Sequence, residues 1–377
     1  MPRRFREVEM SDRLLVGTRK GLFRIERGEG GRWMIAKSWF LGDPVSAVLV
    51  EPGGSRLHAA LDLGHFGVKM QRSEDGGETW SQTASPTFPP KPEGLEDKDP
   101  MRGVDVPWST QLIWTLECGA PGELWCGVIP GALFRSTDGG ESWQLSRALW
   151  DEPRRKLWMG GGYDFSGIHS ILVDPRDPLH VTVGVSTGGV WTTRDAGVSW
   201  ELIGSGLRAE YLPEAMAGDP LAQDVHRIVQ CAAHPDRLWM QHHNGIFLSD
   251  DGGAIWRELS DVPPSSFGFA VAVHPTDPDT AWFVPATKDE KRFPVDAHLV
   301  VTRTRDGGAH FEVLDRGLPT EPAYDLVYRH ALDCSGDGRR LAFGSTTGSL
   351  WASEDQGDSW TTISRHLPPI LCVRFED

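Results

Sequence analysis

Short apolar segments separated by glycine- and proline-containing turns recur along the whole chain. In each unit a first segment often ends at a His-Pro or Asp-Pro turn, a second follows, and a third begins near a glycine. Segments of this length, rich in Val, Leu, Phe and Trp and bounded by turn residues, are typical of β-strands. We name them strands A, B and C; examples of strand A are SAVLVEP, IHSILVDP and FGFAVAVHP.

An octapeptide follows strand C in six places, with the template Ser/Thr-x-Asp-x-Gly-x-Ser/Thr-Trp. Its seventh position has drifted to Ile255 and His310 in two copies, and Phe311 replaces one Trp. Successive aspartates are 49–63 positions apart, which fits one four-stranded propeller blade with variable loops. An Asp that accepts backbone N–H groups, followed by Gly at positive φ, makes a tight turn into a strand D. We therefore predict a structural role for Asp75, Asp138, Asp195, Asp251, Asp306 and Asp355.

The two ends of the chain complement each other. The chain opens on a strand of type B, RLLVGT, and closes on a strand of type A, PILCVRFED. Pairing them supplies the missing inner strand and removes two open sheet edges. The sequence thus predicts an all-β, seven-bladed β-propeller as a single domain over residues 1–377. Residues 1–11 are an expected N-terminal extension, and residues 369–377 are the expected closing strand.

The six octapeptides and a degenerate seventh, ERGEGGRW, resemble Asp-box repeats, also called bacterial neuraminidase repeats. Proteins with this repeat include sialidases, xyloglucan-cleaving glucanases, sortilin-type receptors and a photosystem II assembly factor. The resemblance implies a sialidase-like or glycosidase-like protein. The chain has no Arg-Ile-Pro motif, so sialidase activity itself is not expected. The nearest match to the sialidase nucleophile is Tyr324, placed at the start of a late inner strand.

Composition restricts the function further. The 43 Gly and 27 Pro suit a turn-rich repeat, and a net charge of −15 repels a phosphate backbone, so no nucleic-acid partner is expected. No segment approaches the roughly 18 apolar residues of a membrane span, so no membrane association is expected. The N-terminus lacks a signal-peptide pattern, which favours a cytoplasmic location. The five scattered cysteines are expected to be thiols.

The loops opposite the octapeptides are unusually long. In a propeller the C–D turns lie on one face, and the D–A and B–C loops lie on the other. Long D–A loops at 81–109, 144–167 and 201–224 and a long B–C loop at 286–298 should converge on one mouth. Loops of this length are commonly functional and predict a pocket for a small polar or carbohydrate-like ligand. The candidate ligand-binding residues are Trp108, Tyr163, Tyr211, Arg227, Arg292, Arg329 and His330.

Two kinds of chemistry are open at this mouth. Glycoside hydrolysis requires two carboxylates at a fixed separation, and the candidate catalytic residues are Asp164, Asp224, Tyr324 and Asp325. Alternatively, histidines near the starts of A strands and in a B–C turn predict a divalent metal ion with a carboxylate as base. The candidate metal ligands are His169, His226, His242 and His243.

Three functions therefore remain open from the sequence. The first is a glycosidase-like hydrolase acting on a small polar or sugar-like substrate. The second is a non-catalytic propeller that uses the same face to bind a protein partner. The third is a metal-dependent lyase or hydrolase centred on the histidines. The long convergent loops favour a pocket-bearing hydrolase.

Overall fold

The structure, a computed structural model, describes residues 12–376, so the expected extension at 1–11 lies outside the described residues. The strands form seven antiparallel four-stranded sheets, which are the blades of a propeller. Six blades use four consecutive strands, whereas one has the order β28-β1-β2-β3. This composite blade confirms the predicted ring closure. Within the described residues, no helix is long and apolar enough to span a membrane.

The strand bounds follow the chain in order. The composite blade contains β1 (Arg13–Thr18), β2 (Gly21–Arg27) and β3 (Trp33–Trp39). The next three blades are β4 (Val45–Val50), β5 (Leu57–Asp62), β6 (Val68–Ser73), β7 (Ser81–Thr83); β8 (Leu112–Cys118), β9 (Leu124–Ile129), β10 (Ala132–Ser136), β11 (Gln144–Leu145); and β12 (Ile168–Val173), β13 (Val181–Val185), β14 (Gly189–Thr193), β15 (Glu201–Ile203).

The remaining blades complete the ring. They are β16 (Val225–Cys231), β17 (His234–His242), β18 (Ile246–Ser249), β19 (Arg257–Leu259); β20 (Gly268–Val273), β21 (Ala281–Pro285), β22 (Val301–Thr304), β23 (Glu312–Leu314); and β24 (Leu332–Cys334), β25 (Leu341–Gly344), β26 (Leu350–Ser353), β27 (Thr361–Ser364), with β28 (Ile370–Phe375) in the composite blade. A short helix α1 (Arg147–Trp150) and 3₁₀ turns at Gly64–Phe66, Pro153–Leu157, Pro220–Ala222 and Val295–Ala297 lie in the connections.

Neighbouring blades pack closely because glycine occupies the second strand where the next inner strand crosses it. A Cβ on Gly127 would lie 2.4 Å from the carbonyl oxygen of Ile168, and one on Gly17 would lie 2.9 Å from the carbonyl oxygen of Val45. Tryptophans of strands B and C fill the space between sheets; Trp125, Trp191, Trp239, Trp282 and Trp351 are among the largest fully buried side chains. The core therefore runs around the ring and leaves the inner strands to line an axial channel.

Each Asp box forms the C–D hairpin. In the first copy the Ser73 hydroxyl donates to Asp75 Oδ1 at 2.7 Å, and the Thr79 amide donates to the same oxygen at 2.8 Å. The Thr79 hydroxyl donates to Asp75 Oδ2 at 2.7 Å. These hydrogen bonds, that from the Thr79 amide foremost, lower the pKa of Asp75 to about 2. The carboxylate is thus engaged within its own turn.

Replacing Asp355 by alanine is expected to lower the free energy of unfolding by about 1–2 kcal/mol, because Ser359 and Ser353 would lose their acceptor. Burial would raise the pKa of Asp355, but these hydrogen bonds hold it below the ordinary value of an aspartate. The ionised carboxylate therefore stabilises the fold above about pH 4, and this contribution disappears as pH falls through the lowered pKa. Denaturant titrations at neutral and acidic pH measure it, with exposed Glu321→Ala as the control. Equal stability of Asp355→Ala and Glu321→Ala at pH 7 would contradict the assigned role.

The predicted inner strand of the last blade, YDLVYRHAL, is mostly not a strand. The sheet begins only at Leu332, and His330 forms an isolated bridge to Cys372. The preceding segment forms its hydrogen bonds with a neighbouring loop. The Leu326 carbonyl accepts from the Thr346 amide, and Asp325 accepts from the Ser345 hydroxyl. The placement of Tyr324 at the start of a strand was therefore wrong.

Candidate functional site

A cavity of about 630 Å³ opens on the face of the D–A and B–C loops. Of the four long loops expected to converge there, 144–167 and 286–298 contribute lining residues, whereas 81–109 and 201–224 contribute none. Trp114 on β8 and Tyr163 in the 144–167 loop form one wall, with ring centroids 5.0 Å apart and edge to face. Arg292 from the 286–298 loop and Arg329 contribute positive charge. The remaining lining includes Arg19, Asp62, Asp164, Tyr328 and His330. The cavity therefore combines aromatic surface with cationic groups.

Arg329 is the most constrained cation of this cavity. The residue is 6% exposed, and its guanidinium carbon lies 4.9 Å from the Trp114 ring centroid and 5.3 Å from that of Phe269. Its Nε has no hydrogen-bond partner among the described residues, and Nη2 reaches the Gly161 carbonyl oxygen only at 3.5 Å. Burial lowers the pKa of Arg329, and the charge of Asp224 opposes that shift. The side chain is thus a buried cation with unused donors beside the cavity.

β-bulges place the channel-facing side chains. The pairing of the inner strand with its neighbour shifts register at the same position in five blades, between Val45/Ala47, Ile113/Thr115, Ile168/Ser170, Val225/Arg227 and Gly268/Val271. Such a bulge re-aims the extra residue and is over-represented next to active sites. The residues at these bulges are Ser46, Trp114, His169, His226, Phe269 and Ala270.

Next to the cavity, Asp224, His226 and His243 form a largely buried cluster. One ligand atom from each lies within 4.8 Å of the others. Asp224 immediately precedes β16, His226 occupies the bulge of that strand, and His243 follows β17 of the same blade. The connection to the cavity runs through Gly161, where a Cβ would lie 3.0 Å from Asp224 Oδ1. The next residues, Gly162 and Tyr163, line the cavity.

The protonation states in this cluster follow from its contacts. His226 Nδ1 lies 2.6 Å from the Gly268 carbonyl oxygen, so it carries the hydrogen and donates it. Burial lowers the pKa of His226 to about 3, which leaves Nε2 with a free lone pair at neutral pH. The contact with Asp224 raises the pKa of His243, whose Nδ1 is 3.3 Å from Asp224 Oδ2. Burial would raise the pKa of Asp224, but His243, His226 and Arg329 together lower it.

The other predicted metal ligands lie elsewhere. Both ring nitrogens of His169 are engaged, Nε2 with the Val225 carbonyl oxygen at 2.7 Å and Nδ1 with the Ser170 hydroxyl at 2.9 Å. His242 is fully buried, and its Nδ1 accepts from the Asn244 amide at 3.1 Å. Neither belongs to the cluster of three.

The predicted catalytic residues are dispersed. Asp164 lines the cavity but is 77% exposed at its side chain and pairs with Arg102 at 3.0 Å. Asp325 is buried and accepts from the hydroxyls of Ser345 and Thr347. Tyr324 is 64% exposed. Only Asp224 joins the histidine cluster.

The predicted ligand-binding residues divide between the mouth and other sites. Tyr163, Arg292, Arg329 and His330 line the mouth cavity. Tyr211 lies beside His243, with ring centroids 5.1 Å apart, and its hydroxyl donates to the Ala222 carbonyl at 2.9 Å.

Arg227 and Trp108 are not among the mouth-lining residues. Arg227 lines a second cavity of about 380 Å³ at the box end of the channel, together with Glu117, Asp333 and Arg374. Trp108 donates its indole N–H to Asp97 Oδ2 at 2.9 Å and packs inside the loop layer. Trp114 and Tyr328 line the mouth but were missed. The aromatic residue in the middle of the inner strand LIWTLE was the available signal for Trp114.

Fold and repeat together define the class of this protein, a seven-bladed β-propeller built on Asp-box repeats. A family model described as BNR/Asp-box repeat matches residues 134–145. The chain is similar to an oligoxyloglucan-reducing end-specific xyloglucanase of Emericella nidulans, with 24% identity over 66% of this chain and 26% of the relative. It thus spans about a quarter of that relative's length.

Solved structures share the fold. A GH74 xyloglucanase from Xanthomonas campestris superposes with a TM-score of 0.62 and 18% identity, covering 96% of this chain and 56% of the other. YCF48 bound to D1 peptide superposes with a TM-score of 0.54 and 16% identity, covering 92% and 93% of the two chains. At these identities the similarity shows the propeller architecture and its blade repeat.

Proposed function

We propose that this protein is a glycosidase-like hydrolase that binds a small polar, sugar-like substrate in the mouth cavity. The observation that carries the proposal is the cavity itself, in which the aromatic rings of Trp114 and Tyr163 and the cationic Arg292 and Arg329 face one space of about 630 Å³. Aromatic surface beside a few fixed polar groups is the usual composition of a small-ligand site. The similarity to xyloglucanases supports a carbohydrate as the substrate class.

The two walls of the cavity would hold different parts of the substrate. The ring of Tyr163, which is 51% exposed, offers an apolar face on which the C–H groups of a pyranose can pack, and the buried Trp114 ring supports Tyr163 and Arg329 from behind. The unused donors of Arg329 suit a carboxylate or several hydroxyl oxygens, because a guanidinium presents its N–H groups as a planar fork. Asp224, whose Oδ1 would lie 3.0 Å from a Cβ on Gly161, is a buried carboxylate beside the cavity for activating water.

Replacing Arg329 by methionine is expected to lower kcat/KM roughly 10–100-fold, because a charge-assisted hydrogen bond to the substrate would be lost. Trp114→Ala is expected to cost roughly 10-fold, because Tyr163 and Arg329 would lose the ring that holds them in place. The measurement is hydrolysis of 4-nitrophenyl glycosides and uronides by the full chain. Arg305→Met, which alters an exposed arginine within a box on the opposite face, is the matched control and should leave kcat/KM unchanged.

The assay can also exclude the proposal. Hydrolysis that survives both cavity substitutions would place the substrate elsewhere. A different result would favour a peptide-binding propeller, the second function left open by the sequence and the one that the structure of YCF48 bound to D1 peptide illustrates. That result is the absence of hydrolysis of every glycoside, together with binding of a peptide at the mouth that Arg329→Met abolishes.

A further inference from the structure

Two proton acceptors face each other inside the Asp224 cluster. The hydrogen of His226 is committed to the Gly268 carbonyl oxygen through Nδ1, so Nε2 presents a lone pair. That nitrogen lies 3.9 Å from Asp224 Oδ1, which is buried and has no hydrogen-bond partner among the described residues. A buried carboxylate oxygen left without a partner is costly. A positively charged group between His226 Nε2 and Asp224 Oδ1 would satisfy both acceptors.

The separations in the cluster suit a metal ion. Two ligands each about 2.1 Å from one ion at a tetrahedral angle are about 3.4 Å apart. His243 Nδ1 lies 3.3 Å from Asp224 Oδ2, and His226 Nε2 lies 3.9 Å from the other carboxylate oxygen, Oδ1. One ligand atom from each of the three residues lies within 4.8 Å of the others, so binding an ion would draw the side chains together by about an ångström or less. The side chains are 13%, 3% and 25% exposed for Asp224, His226 and His243, so an ion here would be held mostly away from water.

The surroundings hold the histidines in place. His226 stacks on Phe269 with ring centroids 4.4 Å apart and an interplanar angle of 16°. His243 packs edge to face between Tyr211 at 5.1 Å and Phe267 at 5.9 Å. A ligating histidine commonly donates its other ring nitrogen to a backbone carbonyl, as His226 does to Gly268. The cluster is therefore oriented before any ion binds.

The charges around the cluster are mixed. Arg329 opposes a cation, whereas Asp289 forms an ion pair with Arg292 and so screens that second arginine. Two imidazoles and one carboxylate form a donor set suited to first-row transition ions, whereas Mg²⁺ and Ca²⁺ prefer oxygen ligands alone. The class of ion that fits is Zn²⁺, Mn²⁺ or Fe²⁺.

We propose that Asp224, His226 and His243 form a binding site for one divalent transition-metal ion at the edge of the mouth cavity. Three protein ligands leave a coordination position for water or substrate, as in catalytic metal sites. The proposal rests on the proposed hydrolase function and deepens it: with an ion bound, Asp224 would act as a ligand, and the ion would supply the activated water in its place. Its test is independent of turnover.

Metal binding is measured on the full chain after chelator treatment and dialysis. Titration calorimetry with Zn²⁺ and with Mn²⁺ is expected to give one equivalent, and Co²⁺ should produce visible absorption bands from a site with nitrogen ligands. Asp224→Asn and His243→Ala are expected to weaken binding roughly 100-fold, to the extent typical of damaged metal sites. His65→Ala, which alters an exposed histidine, is the matched control.

Each outcome separates the two proposals. Absence of stoichiometric binding of Zn²⁺, Mn²⁺ and Co²⁺ to folded protein, or binding unchanged in both Asp224→Asn and His243→Ala, overturns the metal site. Thermal unfolding of the apo variants shows whether they remain folded, and His243→Gln serves as a milder second variant. Stoichiometric binding without hydrolysis of any glycoside would retain the metal site while refuting the glycosidase function.

Discussion

Truncating the chain after Pro368 is expected to abolish cooperative folding. The deletion removes β28, which pairs with β1 from Leu14↔Phe375 to Thr18↔Ile370 and is the inner strand of the composite blade. Ile370, Val373 and Phe375 are at most 5% exposed, so their burial contributes about 5–9 kcal/mol, comparable with the whole stability of a typical domain. Circular dichroism and guanidinium titration of the truncated chain should show a broad, non-cooperative transition.

A circular permutant controls for the loss of sequence itself. In the intact fold the Glu376 amide donates to the Arg13 carbonyl oxygen at 3.1 Å, so the end of β28 lies beside the start of β1. Placing residues 369–376 before residue 12 through a short linker would turn the closure into an ordinary A–B hairpin. This permutant is expected to unfold cooperatively. A truncated chain that keeps the cooperativity of the parent would show that the closing strand is dispensable.

The fold could be predicted well from the sequence because each Asp box forms its turn through hydrogen bonds between residues close together in the chain. The hydrogen bonds of Asp138 reach only residues within four positions, so the octapeptide by itself specifies a hairpin. Counting hairpins then gives the number of blades, and the unmatched strands at 13–18 and 370–375 give the closure. Local chemistry repeated along the chain is information that a single sequence contains in full.

The site depends on side-chain direction, which the strand pattern does not contain. His169 and His226 occupy equivalent bulges on neighbouring inner strands. The ring of His169 nonetheless forms its hydrogen bonds within the channel wall, whereas His226 meets Asp224 and His243. The next blade presents a backbone carbonyl oxygen to both rings, that of Val225 to His169 and that of Gly268 to His226. The difference therefore arises within each histidine's own blade, which places Asp224 and His243 beside His226 but only the Ser170 hydroxyl beside the second nitrogen of His169. Arg227 was likewise predicted at the mouth from its place in the strand. It follows His226 directly on β16, yet its side chain lines the cavity at the opposite end of the channel.

Side-chain contacts between residues far apart in the chain, such as those between the 81–109 and 144–167 loops, could also not be predicted from the sequence. Trp108 was predicted to bind ligand because it is aromatic and lies in a long mouth loop. Its indole instead donates to Asp97, which also accepts from Arg155 Nη2 at 2.8 Å. Arg155 lies 58 positions away in the 144–167 loop, and its guanidinium carbon is 4.0 Å from the Trp150 ring centroid. No local motif marks such a contact.

Replacing Asp97 by alanine is expected to destabilise this loop layer by about 3–5 kcal/mol, because a buried guanidinium would lose its counter-charge. The side chains of Asp97 and Arg155 are 0% and 7% exposed, and the Trp108 indole would lose its acceptor as well. Of the two loops joined by this pair, 144–167 lines the mouth through Tyr163 and Asp164, and 81–109 reaches it through the ion pair of Arg102 with Asp164. Hydrogen exchange over 81–109 and 144–167, together with denaturant titration, separates local opening from global unfolding.

The matched controls distinguish the buried pair from charge as such. Arg147→Ala removes an exposed pair with Asp151 in the same loop and is expected to cost less than about 1 kcal/mol. The double variant Asp97→Leu/Arg155→Met should recover much of the loss, because apolar residues can replace a buried ion pair. If Asp97→Ala exchanges hydrogen no faster than Arg147→Ala in both loops, Asp97 does not hold them together. Faster exchange in both loops with an unchanged propeller would instead show that the mouth is shaped by this one buried carboxylate.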